Sequence, residues 1–128
     1  SLRKKHHAVA LKEAASVEEK ETLLADVVIF GSPSWDVDHV EGQPHEHMLE
    51  LLERLTDTPL EGKRVAVYGC GDRSYTFFCG AVDALGDWVK KKTAHVILEP
   101  LKIDGYYFHL KNSEKRVALW TKKLEQKL

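Results

Sequence analysis

The sequence has few cysteines and no long apolar run, and these absences argue against several classes of protein. Only two cysteines occur in 128 residues, and Cys70 and Cys79 stand nine positions apart, which fits neither a zinc ligand set nor a disulfide scaffold. We expect both to be reduced thiols of a cytoplasmic protein. No apolar run reaches the length of a membrane span, and the charged N-terminal residues lack the apolar stretch of a signal peptide. The length predicts one domain, residues 1–128, with its own core.

Charge is nearly balanced over the whole chain but unevenly distributed along it. The net charge is −1, yet residues 36–57 hold seven acids against one base, and residues 111–127 hold six bases against two acids. The acidic stretch predicts either a face that steers toward a basic partner or ordinary solvated helix surface. The basic stretch contains a single aromatic residue, Trp120, so binding of nucleic acid is not expected.

Apolar runs alternate with helical patterns along the chain. Strands are predicted at residues 8–11, 25–31, 64–68 and 95–103, and the run 25–31 is continuous enough for a strand buried on both faces. Apolar residues recur at helical spacing within residues 48–55, 81–89 and 117–128, and Ser16 has the pattern of a helix start. Strand and helix therefore alternate, which predicts an α/β domain with a parallel sheet.

The first candidate ligand loop, residues 32–43, follows the strand predicted at residues 25–31. It begins with the motif Ser32-Pro33-Ser34-Trp35-Asp36. The proline fixes its backbone φ and stiffens the turn. Trp35 is predicted either to lie flat against a planar ligand or to cap the sheet edge. The first alternative is considered because α/β proteins bind ligands where their strands end.

The second candidate loop, residues 69–83, carries the most informative motif of the chain. It starts with Gly69-Cys70-Gly71-Asp72 and ends with Cys79-Gly80-Ala81-Val82-Asp83. The glycines permit close backbone approach or positive φ, so backbone amides here can donate to a ligand. Tyr75 is predicted to form an aromatic wall. In the alternative interpretation, Tyr75 and Phe77 form a local hydrophobic cluster, and Cys79 is a small core residue.

Together the two loops closely resemble those of the short-chain flavodoxins. The family's first ligand loop is matched by Gly31-Ser32-Pro33-Ser34-Trp35 and its second by residues 69–83. The resemblance covers almost the whole chain and implies a doubly wound parallel sheet with strand order 2-1-3-4-5. It also implies a low-potential electron carrier, not an enzyme, that uses noncovalently bound FMN and shuttles electrons between a reductase and acceptor enzymes.

The same resemblance implies the residues of the FMN site. Trp35 and Tyr75 would sandwich the flavin ring, and the other residues would contact it mainly through backbone groups. The implied set comprises Ser32, Pro33, Ser34, Trp35, Asp36, Cys70, Gly71, Asp72, Tyr75, Phe77, Phe78 and Cys79. Asp36 stands where many members have glycine, which predicts a costlier peptide flip on flavin reduction because a side chain disfavours positive φ.

One departure from the family concerns its N-terminal part. Residues 2–7 resemble the end of the family's first helix, so the first strand and the loop that binds the FMN phosphate at a helix N-terminus have no counterpart. In the family order that strand would lie in the centre of the sheet, between the strands predicted at residues 8–11 and 25–31. Three explanations stay open: an incomplete sequence, a partner chain that supplies the strand, or a different fold around the gap, such as a swapped dimer.

Three histidines, His39, His45 and His47, raise the question of a metal site. We predict none, because His45 and His47 would point in different directions on a helix, and a solvated loop with pH-dependent charge is the expected alternative. Two further functions stay open beside the electron carrier. One is a flavodoxin-fold binding or regulatory module that no longer binds FMN. The other is an NAD(P)H-dependent flavin reductase, although the chain shows no second dinucleotide fingerprint.

Overall fold

The chain forms a sheet with helices on both faces. The structure, a computed structural model, describes Leu2 and residues 7–128. In chain order its elements are a 3-10 turn (Ala14–Ser16), α1 (Glu19–Leu24), β1 (Val27–Val37), β2 (Val40–Pro44), α2 (Glu46–Arg54), β3 (Arg64–Gly71), α3 (Gly80–Lys91), β4 (His95–Val96), β5 (Leu101–Asp104) and α4 (Leu110–Glu125).

The sheet is parallel except at one edge. Its order is β2-β1-β3-β4, with β5 alongside the C-terminal half of β3. The β1–β3 register runs from Val27 opposite Arg64 to Pro33 opposite Cys70, while β4 and β5 also pair parallel to β3. Among the described strands only β2 is antiparallel, because it is the return strand of a hairpin with β1. The carboxyl ends of β1, β3 and β5 therefore lie at the same edge.

The core lies between one face of β1 and β3 and the helices α2 and α3. Alternate residues of the strands point into it, among them Phe30, Val65 and Val67, and meet the apolar stripes of the helices. Leu55 and Leu85 have no exposed surface there. Burial of each such side chain contributes about 1.5–3 kcal/mol.

The opposite face of the sheet is less completely covered. Ile29 and Tyr68 are 37% and 38% exposed. The helix α4 reaches this face through Trp120, whose ring centroid lies 6.1 Å from that of Tyr68 and whose indole nitrogen donates to the carbonyl of Glu99 at 2.9 Å. Tyr68 lies over Gly31, where a Cβ would collide with its ring.

Two predictions about the N-terminal part are wrong. Residues 8–11 form no strand; they are exposed and irregular, and Leu11 is 83% exposed. Short apolar segments that stay exposed bury too little area to be stable as strands. The helix expected to start near Ser16 begins at Glu19, and Ser16 closes the 3-10 turn by donating to the carbonyl of Glu13. The helix end expected at residues 2–7 lies mostly outside the described residues.

The free edge of β1 is where the family's central strand was expected. Over residues 27–33, β1 pairs with β3 on one side, and no described residue pairs with its other side. The absence of a central strand from the sequence stays a prediction. The strand expected over residues 95–103 is divided into β4 and β5, with residues 97–100 between them. Within the part of the chain that is described, no helix combines the length and apolarity needed to cross a membrane.

Candidate functional site

The first candidate loop is a β-hairpin, so its prediction as a loop is wrong. The strand β1 continues through Ser32 to Val37, and β2 returns from Val40 to Pro44. Asp38 and His39 form the two-residue turn with φ of 51° and 64°, as a type I′ turn requires. The pairing shifts register between Trp35 and Val37. Alternating polar and apolar residues here continue the strand instead of ending it.

Contacts distant in sequence join the hairpin to the second loop. The backbone N–H of Ala81 donates to Ser34 Oγ at 3.1 Å, and the N–H of Thr76 donates to Glu41 Oε1 at 3.2 Å. Backbones meet directly at Gly42 and Gly80, where a Cβ on Gly80 would collide with Gly42. The two candidate loops therefore form one connected surface at the carboxyl edge of the sheet.

Two aromatic side chains of this surface remain open to solvent. Trp35 on β1 is 53% exposed and Tyr75 in the second loop is 61% exposed. The indole of Trp35 contacts the ring of His45 edge to face, with centroids 5.5 Å apart. Among the described aromatic residues, no ring contact joins Trp35 to Tyr75. The structure thus places both predicted walls at one edge of the sheet without stacking them on each other.

The second loop is fixed to the end of β5. The N–H of Arg73 donates to Asp104 Oδ1 at 3.0 Å, and the N–H of Gly105 donates to the carbonyl of Gly71 at 2.8 Å. Within the loop, Asp72 Oδ1 accepts from the N–H of Ser74 at 2.8 Å. That hydrogen bond lowers the pKa of the Asp72 carboxyl, so Asp72 holds the turn as a carboxylate.

Cys79 begins α3 in a left-handed conformation. Its φ is 50°, its side chain is completely buried, and its Sγ lies 3.6 Å from the carbonyl oxygen of Ile103. Burial raises the pKa of its thiol to about 11, and burial also raises the pKa of the half-buried Cys70 thiol. Neither thiol is therefore activated as a nucleophile. The side chain of Cys79 matches the core-residue interpretation, which leaves only its backbone for a ligand.

The glycines of the second loop serve close packing. A Cβ on Gly69 would collide with the carbonyl oxygen of Ser32, and a Cβ on Gly71 would lie 3.0 Å from the nitrogen of Cys79. Neither Gly69 nor Gly71 has positive φ. Of the two alternatives for these glycines, close backbone approach is thus the one observed.

The remaining predicted residues divide between scaffold and surface. Ser32 is buried, and its Oγ donates to the carbonyl of Pro33 and accepts from the N–H of His45. Pro33 and Asp36 are exposed on the hairpin, and Phe77 is 59% exposed. Phe78 is partly buried, packs against the core and lies 5.2 Å from the guanidinium of Arg73.

Sequence reasoning missed three residues that shape the site: Glu41, His45 and Asp104. Asp104 stands in the recognisable turn before Gly105 and carried some signal. No sequence signal pointed to Glu41 or His45, because Glu41 is typical of a solvated acidic surface and histidine is not a typical helix cap. In the described part of the chain, no cluster of three or more His, Cys, Asp or Glu side chains could hold a metal ion.

A cavity of about 510 Å³ lies behind the second loop, between α3, α4 and β5. Its floor is apolar, with Val67 and Val82, and its rim carries charges of both signs, including Lys90, Asp87 and Arg116. Neither Trp35 nor Tyr75 lines it. It is separate from the surface that the two aromatic residues define.

These features define a doubly wound α/β protein whose two candidate loops lie side by side at the carboxyl edge of its sheet. A sequence model of the family described as Flavodoxin matches residues 1–115. The flavodoxin of Maridesulfovibrio salexigens is 45% identical over 80 residues, which make up 62% of this chain and 53% of that protein. The chain belongs to the flavodoxin family, which confirms the family and the fold predicted from its two loops.

Solved structures agree on the fold. The flavodoxin of Streptococcus pneumonia superposes with a TM-score of 0.82 at 27% identity, over 99% of this chain and 83% of that one. A flavodoxin of Fusobacterium nucleatum bound to flavin mononucleotide superposes with a TM-score of 0.65 at 22% identity, over 80% and 72% of the two chains. The matched segments span 53%, 66% and 50% of three curated relatives.

The described residues fit the ring of a flavin. Large aromatic side chains are usually well buried, whereas Trp35 and Tyr75 both leave more than half of their surface open at the same sheet edge. Their supporting loops are held by hydrogen bonds at Ser34, Glu41 and Asp104. Exposed aromatic rings can stack on the face of a planar ring such as that of a flavin.

Proposed function

We propose that this protein is a low-potential electron carrier that binds FMN noncovalently and shuttles electrons between a reductase and acceptor enzymes. One observation carries the proposal: Trp35 and Tyr75 are exposed on two loops that hydrogen bonds join at the carboxyl edge of the sheet. Bound FMN supplies the redox chemistry of its ring, and the chain supplies the walls that exclude water from it.

The roles proposed for the individual residues follow from their contacts. Trp35 and Tyr75 cover the two faces of the ring. Asp72, Cys70, Gly71 and Cys79 offer backbone groups, since the side chain of Cys79 is buried. Ser32 and Ser34 hold the hairpin in place, because their hydroxyls already bond to protein groups.

We also propose that the acidic surface orients basic redox partners. Most acids of residues 36–57 are exposed, and they flank the hairpin that carries Trp35. Complementary charge raises association rates more than it raises affinity. A further strand, from another chain or another copy of this one, is proposed to pair with the free edge of β1.

Titration of the apoprotein with FMN, followed by quenching of flavin fluorescence, tests the cofactor. We expect binding at micromolar FMN, and Trp35→Ala and Tyr75→Ala should each raise the dissociation constant by about tenfold, equivalent to about 1.4 kcal/mol. Tyr107→Ala is the matched control because Tyr107 is 87% exposed and is assigned no cofactor contact. No binding by the unmodified chain would contradict the carrier and favour the regulatory module.

A flavodoxin-fold binding or regulatory module that does not bind FMN is the second candidate, and the same titration separates it from the carrier. Flavin absorbance bands in the purified protein would argue against this module directly.

A further inference from the structure

His45 lies where the hairpin meets α2. Its backbone N–H donates to Ser32 Oγ at 2.9 Å, and its carbonyl accepts from the N–H groups of Met48 and Leu49 at 2.9 and 3.0 Å. Its side chain is the N-cap of α2, because Nδ1 accepts from the N–H of His47 at 3.1 Å. The backbone of His45 is therefore bonded to both neighbouring elements, and the hydrogen bond at Nδ1 fixes the orientation of its imidazole.

The ring of His45 also supports the indole of Trp35. Their centroids are 5.5 Å apart with an interplanar angle of 81°, and the ring centroid of His47 lies 4.8 Å from that of His45 at 72°. Edge-to-face pairs of this kind contribute attraction beyond buried area. Since Trp35 is 53% exposed, this contact restrains a ring that solvent otherwise leaves free to reorient.

Histidine is an unusual residue at this position. Ser, Thr, Asp and Asn are the preferred N-caps, and each accepts the same backbone N–H. None of them has a ring that can reach Trp35 edge to face. The imidazole combines the two tasks, since one nitrogen caps α2 while the ring contacts the indole.

We propose that His45 is a positioning residue for Trp35 and performs this role only as a neutral imidazole. Nδ1 accepts a hydrogen bond only while it carries no proton. Protonation would place an Nδ1–H donor opposite the backbone N–H donor of His47. It would also add positive charge at the N-terminus of α2, which the helix dipole disfavours. The cap would then be lost, and with it the orientation of the ring beneath Trp35.

The titratable groups around His45 are few. His47 on α2 faces its ring, Glu46 follows it in α2, and Asp36 follows Trp35 on β1. Neither carboxylate forms an ion pair with His45 in the described part of the chain. The acid of β2, Glu41, accepts instead from the N–H of Thr76 in the second loop.

The emission of Trp35 in the apoprotein tests the proposal without any cofactor. Trp88→Phe and Trp120→Phe leave Trp35 as the single tryptophan of the three. From pH 8 to pH 5, the range in which histidines change charge, we expect acrylamide quenching of Trp35 to rise by about twofold. If the double variant folds poorly, the quenching of Trp35 is obtained instead as a difference. The pH dependence of acrylamide quenching in Trp35→Phe is subtracted from that in the unmodified chain.

Two variants of His45 separate its tasks. His45→Asn keeps a cap acceptor but lacks the ring, so Trp35 should be readily quenched at every pH. His45→Phe keeps a ring that cannot titrate, so the pH response should disappear. His39→Asn is the matched control: His39 makes no ring contact with Trp35, and asparagine tolerates its positive φ, so its response should equal that of the parent. An unchanged pH response in His45→Phe, or unchanged quenching in His45→Asn at pH 8, would overturn the proposal.

The inference rests on the proposed function only in taking Trp35 as a wall of the flavin site. We expect the dissociation constant of FMN to be severalfold higher at pH 5.5 than at pH 8 in the parent. In His45→Phe the ratio of these two dissociation constants should approach one. Failure of FMN to bind at either pH would count against the proposed function and leave the emission result standing. Binding of FMN without a pH response of Trp35 would count against the role of His45 alone.

Discussion

At the scale of single residues, two glycines of α3 have opposite surroundings. Gly80 meets the backbone of Gly42, whose own φ of 76° leaves little choice of residue there. Gly86 lies two turns further along the same helix, and nothing lies within 4 Å of the place where its Cβ would be. The same substitution therefore meets backbone at one position and open space at the other.

We predict that Gly80→Ala destabilises the fold by about 1–3 kcal/mol, because the hairpin must move away from α3. Gly86→Ala should instead stabilise it by about 0.5–1 kcal/mol, because alanine is the better residue in the interior of a helix. Urea unfolding of both variants measures the two free energies. Equal changes in the free energy of unfolding for the two substitutions would show that the contact between Gly42 and Gly80 does not contribute to stability.

Single residues of the site were predictable from sequence to different degrees. The position of Trp35 and Tyr75 at the carboxyl edge of the sheet was predictable because each follows an apolar strand pattern, whereas their contact with a flavin stays a prediction. The sequence leaves open whether Cys79 is a core residue or a ligand contact, because burial of its side chain depends on contact with Ile103 on another strand. The role of His45 depends on a ring contact that no local pattern indicates.

At the scale of elements, β1 is the least expected part of the fold. Its first half forms the parallel strand that the apolar run predicts, but burial on both faces is wrong, because Ile29 is 37% exposed. Its second half leaves β3 and pairs with β2. Over residues 27–33 it has an edge to which no described residue is bonded. Such edges pair readily with other strands.

We predict that the free edge of β1 makes the protein associate as its concentration rises. Light scattering should detect dimers, and Ile29→Lys should shift the equilibrium to monomers, because a lysine on an edge strand opposes pairing. Leu119→Lys makes the same change at an exposed position of α4 and should leave association unchanged. A monomer at every concentration would contradict the proposed pairing of a further strand from a second copy.

At the scale of the whole molecule, charge separates two regions. The acids of residues 36–57 lie on the hairpin and α2, beside the aromatic surface, whereas the bases of residues 111–127 lie mainly on α4. An arrangement of this kind orients a charged partner at low ionic strength, and salt screens it over about 8–10 Å.

We predict that electron transfer from a reductase to the FMN-loaded protein slows severalfold as salt rises, because association is steered by charge. Glu50→Lys should lower the rate at low salt, since Glu50 is exposed on α2. Glu114→Lys makes the same change of charge on α4 and should not slow the reaction. Stopped-flow kinetics compare the two, and equal rates would exclude steering by the acidic surface.

The sequence by itself determined the alternation of strands and helices, the apolar faces of α2 and α3, and the two loop motifs that identify the family. These depend on local periodicity and on short motifs, which can be read without knowledge of tertiary contacts. Only the tertiary structure decided that residues 32–37 continue a strand and that residues 8–11 do not form one. It also decided that Ser34 reaches Ala81, Thr76 reaches Glu41, and Trp35 lies on His45. The reason is register: each contact joins residues brought together by the pairing of strands and the placement of α2 and α3.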